Sequence, residues 1–298
     1  MVETLLTFYL LLGSGYLLKR LGVFKTEDTA VFVNFVVYFA LPLTVFAVFK
    51  DLELSADLAA VVAVAWTSAA VSTLVSFFLF SKLVADRASL KSLFLSATFG
   101  NTAFAGYPIA YSLFGEEGLA YAIVYDVVGN FLLVVTLAVA LIGQRPDWRL
   151  FYRFPPAGAL LAAFALKGAS LEPLKGFFAA AKASLVPTVV FALGLRFEPR
   201  AALKNLPLAL LAVLWRQLVS PLLVLLLLLL LKEPLRLSHE AAAVALLQSS
   251  MPPFVMAVIL SEKYRLNPDL SLAAANLGLL LLPLTVPLWL KVSEVLFG

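Results

Sequence analysis

The sequence predicts an all-α polytopic membrane protein with ten transmembrane helices. Hydrophobic residues make up 62% of its 298 positions and charged residues only 13%, roughly half the charge of a soluble domain. Mean hydropathy is +1.00. Long apolar runs such as 222–231 recur, and about 20 apolar residues of helix cross a bilayer. Ten such spans with short loops use nearly the whole chain. That leaves no room for a sizeable soluble domain, and the low charge argues against nucleic-acid binding.

In chain order, the apolar stretches between charged breaks place spans at 2–18, 28–49, 58–80, 92–114, 119–142, 154–166, 176–195, 206–231, 240–260 and 270–290. The first follows an acidic start, Met1-Val2-Glu3-Thr4, which lacks the basic region of a cleaved leader and reads as a retained span. The sixth is the shortest and opens on Pro155-Pro156. No segment shows the ten-residue alternation of a barrel strand. Loops after odd-numbered spans hold fourteen lysines and arginines, among them Lys19, Arg20, Lys82, Arg87, Arg149, Arg153, Arg196 and Arg200. The even-side loops and C-terminal tail hold six: Lys50, Lys167, Lys175, Lys232, Arg236 and Lys291. The excess of positive charge puts the odd-side loops in the cytoplasm and both termini outside.

The chain also carries the trace of a repeat. Pro42-Leu43-Thr44-Val45-Phe46-Ala47 matches Pro187-Thr188-Val189-Val190-Phe191-Ala192 at four of six positions, at an offset of 145 that also pairs Pro108 with Pro253. A repeat of five spans makes its two copies opposite in orientation, the inverted architecture of secondary transporters. The halves are then 1–142 and 154–298, joined by a cytoplasmic loop at 143–153.

Polar residues within spans point to a site, because burying them in lipid is costly. The fourth span carries Gly100-Asn101-Thr102 and Gly106-Tyr107-Pro108, and the ninth carries Gln248-Ser249-Ser250-Met251-Pro252-Pro253. Both are poor continuous helix. Broken helices at matching places in two halves point to a transporter site, and half-helices resuming after Pro108 and Pro253 would offer positive ends to an anion. Asp126 and Asn130 in the fifth span are four apart and share a helix face. Asp126 can exchange a proton, hold a cation or pair with a base such as Arg216. Arg216, near the middle of the eighth span, can bind a carboxylate, form a structural ion pair or cap backbone carbonyls. Lys182 reads as a residue that snorkels to the interface. Gly13 and Gly15 read as sites of close helix packing.

The chain has no cysteine and a single histidine, His239, which excludes thiolate chemistry and His-rich metal sites. No phosphate-binding loop, serine-nucleophile motif or catalytic carboxylate pair appears. No cofactor, metal or enzymatic activity is expected.

Gly100-Asn101-Thr102 through Gly106-Tyr107-Pro108 resembles the GNT-x3-G-x-P signature of the auxin efflux carrier family, which includes the plant PIN proteins and prokaryotic relatives. Met251-Pro252-Pro253, the stretch Lys263-Tyr264-Arg265 to Pro268-Asp269, and Pro283 and Pro287 are similar to other elements of that family. The resemblance implies a scaffold of helices 1, 2, 6 and 7 and a transport domain of helices 3–5 and 8–10. Helices four and nine would cross at their breaks, and an elevator movement would carry a small organic anion, auxin-like or dicarboxylate. It places Asn101 at the family's crossover asparagine, offers Gln248, Ser249 and Ser250 as candidates for a second polar contact, and implies a homodimer through the scaffold. The helix breaks themselves add Thr102, Gly106, Pro108, Pro252 and Pro253 to the expected substrate contacts, depth adds Arg216, and the shared face of Asp126 and Asn130 makes them a coupling or polar network. The short loop at 143–153 lacks the long regulatory insert of plant carriers and suits a prokaryotic inner membrane. A sodium-coupled bile-acid-type symporter and a non-transporting membrane receptor are the competing readings.

Overall fold

The computed structural model describes residues 1–298 apart from 54, 146–152, 204 and 236. Arg149, Lys204 and Arg236 of the topology reading lie outside the described residues, as does most of the loop joining the halves. In chain order the helices are α1 (Val2–Arg20), α2 (Thr26–Lys50), α3 (Ala56–Leu83), α4 (Arg87–Thr98), α5 (Thr102–Leu141), α6 (Pro155–Ala165), α7 (Glu172–Arg196), α8 (Leu206–Leu230), α9 (His239–Ser249), α10 (Met256–Lys263) and α11 (Pro268–Phe297). Among the described residues there is no strand, only an isolated antiparallel bridge between Gly100 and Pro253.

Six of these helices, α2, α3, α5, α7, α8 and α11, are long and apolar enough to cross a membrane. The shortfall from ten has local causes. The fourth predicted span stops at Thr98 and resumes at Thr102, and the ninth stops at Ser249 and resumes at Met256. The half at 102–114 then passes through a single non-helical residue, Gly115 (φ +64°, ψ −147°), into the fifth predicted span, so two expected spans form the one element α5. α6 has only 11 residues, and α1 is a 19-residue helix outside the six.

The sequence explains where the helices stop. Phe99 caps α4 in an extended conformation, with its amide donating to the Leu95 carbonyl, and Asn101 starts the next segment by accepting the Phe104 amide on Oδ1 at 3.3 Å. Pro252-Pro253 lacks two amide donors and cannot continue α9. The resumption after the first break comes at Thr102, not after Pro108 as the proline suggests. A π-helical turn at Thr102–Gly106 lies directly ahead of Tyr107-Pro108, and this widened turn accommodates the missing proline amide inside the helix.

Two groups of helices pack together. α1 lies along α7, and α2 packs on α6 and α7, while α3, α4, α8, α9 and α11 contact one another around the broken segments. α1 and α7 touch backbone to backbone. A Cβ on Gly15 would run into the Phe191 carbonyl, and one on Gly194 into the Leu12 carbonyl. Gly13 faces open space, so the packing role expected of it falls to Gly194 instead. Lys182 in α7 pairs with Glu116 beside the Gly115 turn.

Gly194→Val should therefore lower the thermal unfolding midpoint of the detergent-purified protein, by about 1–3 kcal/mol of stability. Gly13→Ala should leave the midpoint unchanged or raise it. Equal losses in both variants would show that the α1–α7 backbone contact is not what the glycine serves.

Candidate functional site

The two breaks meet. The Asn101 amide donates to the Pro252 carbonyl at 2.7 Å and the Phe254 amide to the Phe99 carbonyl at 3.1 Å, on either side of the Gly100–Pro253 bridge. Backbone freed by breaking a helix must find partners inside the protein when it lies at membrane depth, and here each break supplies the other's. Gly278 of α11 lies so close to Pro252 and Pro253 that a Cβ there would overlap both rings.

This crossover has two unlike faces. On one face the starts of α5 and α10 border a cavity of about 170 Å³. Gly100, Asn101, Thr102, Asp126 and Asn130 form its polar wall, with Phe254, Val255 and Met256 beside them. The opposite wall is α2, through the helical stripe Thr29, Val33, Val37 and Leu41, together with Leu193 and Arg196 of α7. Thr29, Phe154 and Arg196 all lie at helix ends next to odd-side loops, so the cavity reaches that end of the molecule. Asn101 uses Oδ1 for its cap, which leaves its amide NH₂ group available as a donor.

Asp126 is 6% exposed and belongs to this wall. It accepts from Thr102 Oγ1 at 2.5 Å and from Tyr107 Oη at 2.6 Å. Asn130 donates to Thr102 Oγ1 at 3.0 Å and to the Gly100 carbonyl at 3.3 Å. The shared face expected of Asp126 and Asn130 thus converges on Thr102, at the first turn of α5.

On the other face α4 and α9 end. Arg216 reaches between them from α8, with Nη2 donating to the Gln248 carbonyl at 3.1 Å and Nη1 directed at the Thr98 carbonyl at 3.4 Å. Its guanidinium lies against Gly100, where any Cβ would collide with it. Arg216 does not line the cavity that holds Asn101, and it forms no ion pair with Asp126 among the described residues. The structure likewise keeps other expected contacts out of the cavity. Gln248 is wholly buried against Gly106, Ser249 and Ser250 bond back to the Leu246 and Leu247 carbonyls at 2.7 and 2.8 Å, and Pro108 is buried within α5. Pro252 and Pro253 serve the bridge.

Sequence reasoning missed Arg196, counted only as a loop charge, and the α2 wall, whose signal was the four-residue spacing of Thr29, Val33, Val37 and Leu41. It also missed that Thr102, Asp126, Asn130 and Arg216 all sit on π-helical turns, a wider winding that composition does not announce. Among the described residues no group of metal-ligating side chains is found.

Residues 1–148 match the family of membrane transport proteins. Over almost its full length the chain is similar to an uncharacterized transporter of Methanocaldococcus jannaschii, at 28% identity over 293 residues, covering 93% of this chain and 92% of that protein. A second uncharacterized transporter, from Methanothermobacter thermautotrophicus, is 28% identical over 296 residues, 96% of each chain.

Gly100→Ala tests the contact between the crossover and the guanidinium. The added methyl must displace Arg216, and a loss of about 1–3 kcal/mol is expected in thermal unfolding. An unchanged midpoint would mean that the guanidinium is not held against Gly100.

Proposed function

We propose that the chain is a relative of the auxin efflux carriers its fourth span resembles and a secondary carrier of a small organic anion, a reading supported by the match of residues 1–148 to the membrane transport protein family and by the similarity to two archaeal transporters. The observation that carries this reading is the polarity of the crossover. Each helix start presents about half a positive charge and several unpaired amides. The starts of α5 and α10 border one cavity, with the free amide of Asn101 between them and an apolar lining around them. That combination suits a carboxylate attached to an apolar body.

In this reading the protein is a ten-span carrier of the inner membrane, with two inverted five-span halves and both termini outside. α1, α2, α6 and α7 form the scaffold, and the remaining helices form the moving body. The cavity between α2, α7 and the crossover is then the sliding interface, open toward the cytoplasm. Movement of the crossover past the apolar α2 stripe carries the anion to the other side, in the manner of an elevator. Inside-negative potential favours export of an anion by about 2.3 kcal/mol per charge at 100 mV.

Asp126 supplies the coupling. Its carboxylate already accepts from Thr102 at the start of α5, the helix end the substrate carboxylate needs. Two negative charges at one helix start repel, so the anion binds best when Asp126 carries a proton. Anion affinity therefore rises as pH falls.

The direct test is uptake of labelled malate, malonate and indole-3-acetate into proteoliposomes under imposed voltage, proton or sodium gradients. Saturable flux that Asn101→Ala reduces by at least about tenfold, roughly one lost hydrogen bond to a charged group, is expected from a protein that stays folded and monodisperse. Flux equal in wild type and Asn101→Ala would move the site elsewhere. Asp126→Asn should flatten the pH dependence of the anion KM, and a slope matching wild type would assign the proton to another group.

A further inference from the structure

On the face of the crossover turned away from the cavity, a cationic side chain of the protein meets two helix ends. α4 and α9 both end there, and the last carbonyls of a helix carry about half a negative charge. The Thr98 and Gln248 carbonyls aim at the same guanidinium. Around it, Ser68, Ser72, Thr98, Tyr125 and Ser220 line a small polar cavity of about 10 Å³, the space of one water-sized particle. With Asn130, which also lines it, this pocket offers carbonyl, hydroxyl and amide oxygens, the kind of surrounding that holds a hard metal cation. No carboxylate pairs with Arg216 among the described residues, and the buried Tyr125 hydroxyl is a further polar partner within reach of the guanidinium. Two helix ends together supply about one negative charge, which matches the single positive charge of Arg216. Arg216 is 4% exposed and its Nε has no hydrogen-bond partner, so the two helix-end carbonyls and the Tyr125 hydroxyl, not solvent, hold the guanidinium.

We propose that Arg216 is a tethered cation standing where a carrier of this architecture would bind a coupling alkali ion, so that the carrier needs no sodium and removal of the guanidinium converts the pocket into a site for a free cation. The inference rests on the reading of the chain as an anion carrier. Its first readout, thermal stability without substrate, does not depend on which anion is carried. Arg216 acts through the crossover as a positioning residue and does not touch the transported anion. A merely structural arginine predicts no recovery from added ions.

The experiment compares full-length wild type, Arg216→Ala and Arg216→Lys in choline, sodium and low-millimolar guanidinium chloride at matched ionic strength. Wild type is expected to show the same unfolding midpoint and the same flux in sodium and choline. Arg216→Ala should lose at least about 5 °C of midpoint in choline, and guanidinium should restore it saturably, with sodium doing so in part. In proteoliposomes the same ions should recover flux. Arg216→Lys keeps a tethered charge and should remain insensitive to sodium. If Arg216→Ala does not fold, Arg216→Gln, which keeps a hydrogen-bond donor without the charge, takes its place, with the same recovery by guanidinium expected and its absence overturning the proposal. Sodium-dependent stability or flux in wild type or Arg216→Lys would overturn the proposal. A folded Arg216→Ala that responds equally to choline, sodium and guanidinium would also overturn it. If no tested anion is carried but the cation response of Arg216→Ala appears, the tethered-cation assignment stands and the substrate reading is the part at fault.

Discussion

The fold depends on one exchange of backbone hydrogen bonds, Asn101 to Pro252 and Phe254 to Phe99. A helix broken in the middle of a membrane protein leaves amides and carbonyls that lipid cannot satisfy, each costing several kcal/mol. Two broken helices laid antiparallel across one another solve the problem jointly. The double proline helps, because Pro252 and Pro253 have no amides left to satisfy. At two positions of the contact there is no room for a side chain: Gly100 lies against Arg216 and Gly278 against the two prolines.

Antiparallel crossing of two breaks has an electrostatic consequence. The two helix ends that stop at the crossover and the two that start there are sorted onto opposite faces. One face gathers partial negative charge and receives Arg216; the other gathers partial positive charge and borders the cavity with Asn101. The separation is short, since Gly100 contacts the guanidinium on one side and lines the cavity on the other. Asn130 lines both spaces and bonds to the Gly100 carbonyl and to Thr102, so it ties the two faces together.

Much of this was legible in the sequence because helix breaking has a strong local signature. Glycine, asparagine and proline at 100–108 and the run at 248–253 announce two interruptions, and the common offset of Pro108 and Pro253 links them. The i,i+4 spacing of Asp126 and Asn130 announced a common target, which the structure identifies as Thr102. What stayed hidden depends on three-dimensional direction. Pro108 marks a proline absorbed by a π-helical turn, not the resumption of the helix. The depth of Arg216 was readable, but which face of the crossover it serves was not, since both faces offer groups that a guanidinium can bind. Gly13 and Gly15 look alike in sequence, yet only Gly15 meets α7, because the partner glycine, Gly194, lies some 180 residues away.

The same arrangement bears on how a carrier could move a charge through an apolar interface. If the crossover travels with its bound anion, as proposed, Arg216 travels with it and already has its countercharge in the ends of α4 and α9. That arrangement carries little net charge, which keeps its share of the cost of movement small. The remaining charges that would travel are Asp126 and the anion, both at the start of α5, with Arg196 of α7 on the opposite wall of the cavity. Without a proton on Asp126 the cavity face carries two negative charges against about one positive charge from two helix starts, which disfavours both binding and passage beside Val33, Val37 and Leu41. With the proton, one anion meets about one compensating charge, and the loaded site is close to neutral as it passes the scaffold. On the proposed reading the crossover separates two tasks, with a permanent cation to hold the broken helices and a titratable carboxylate to decide when the site is ready to move.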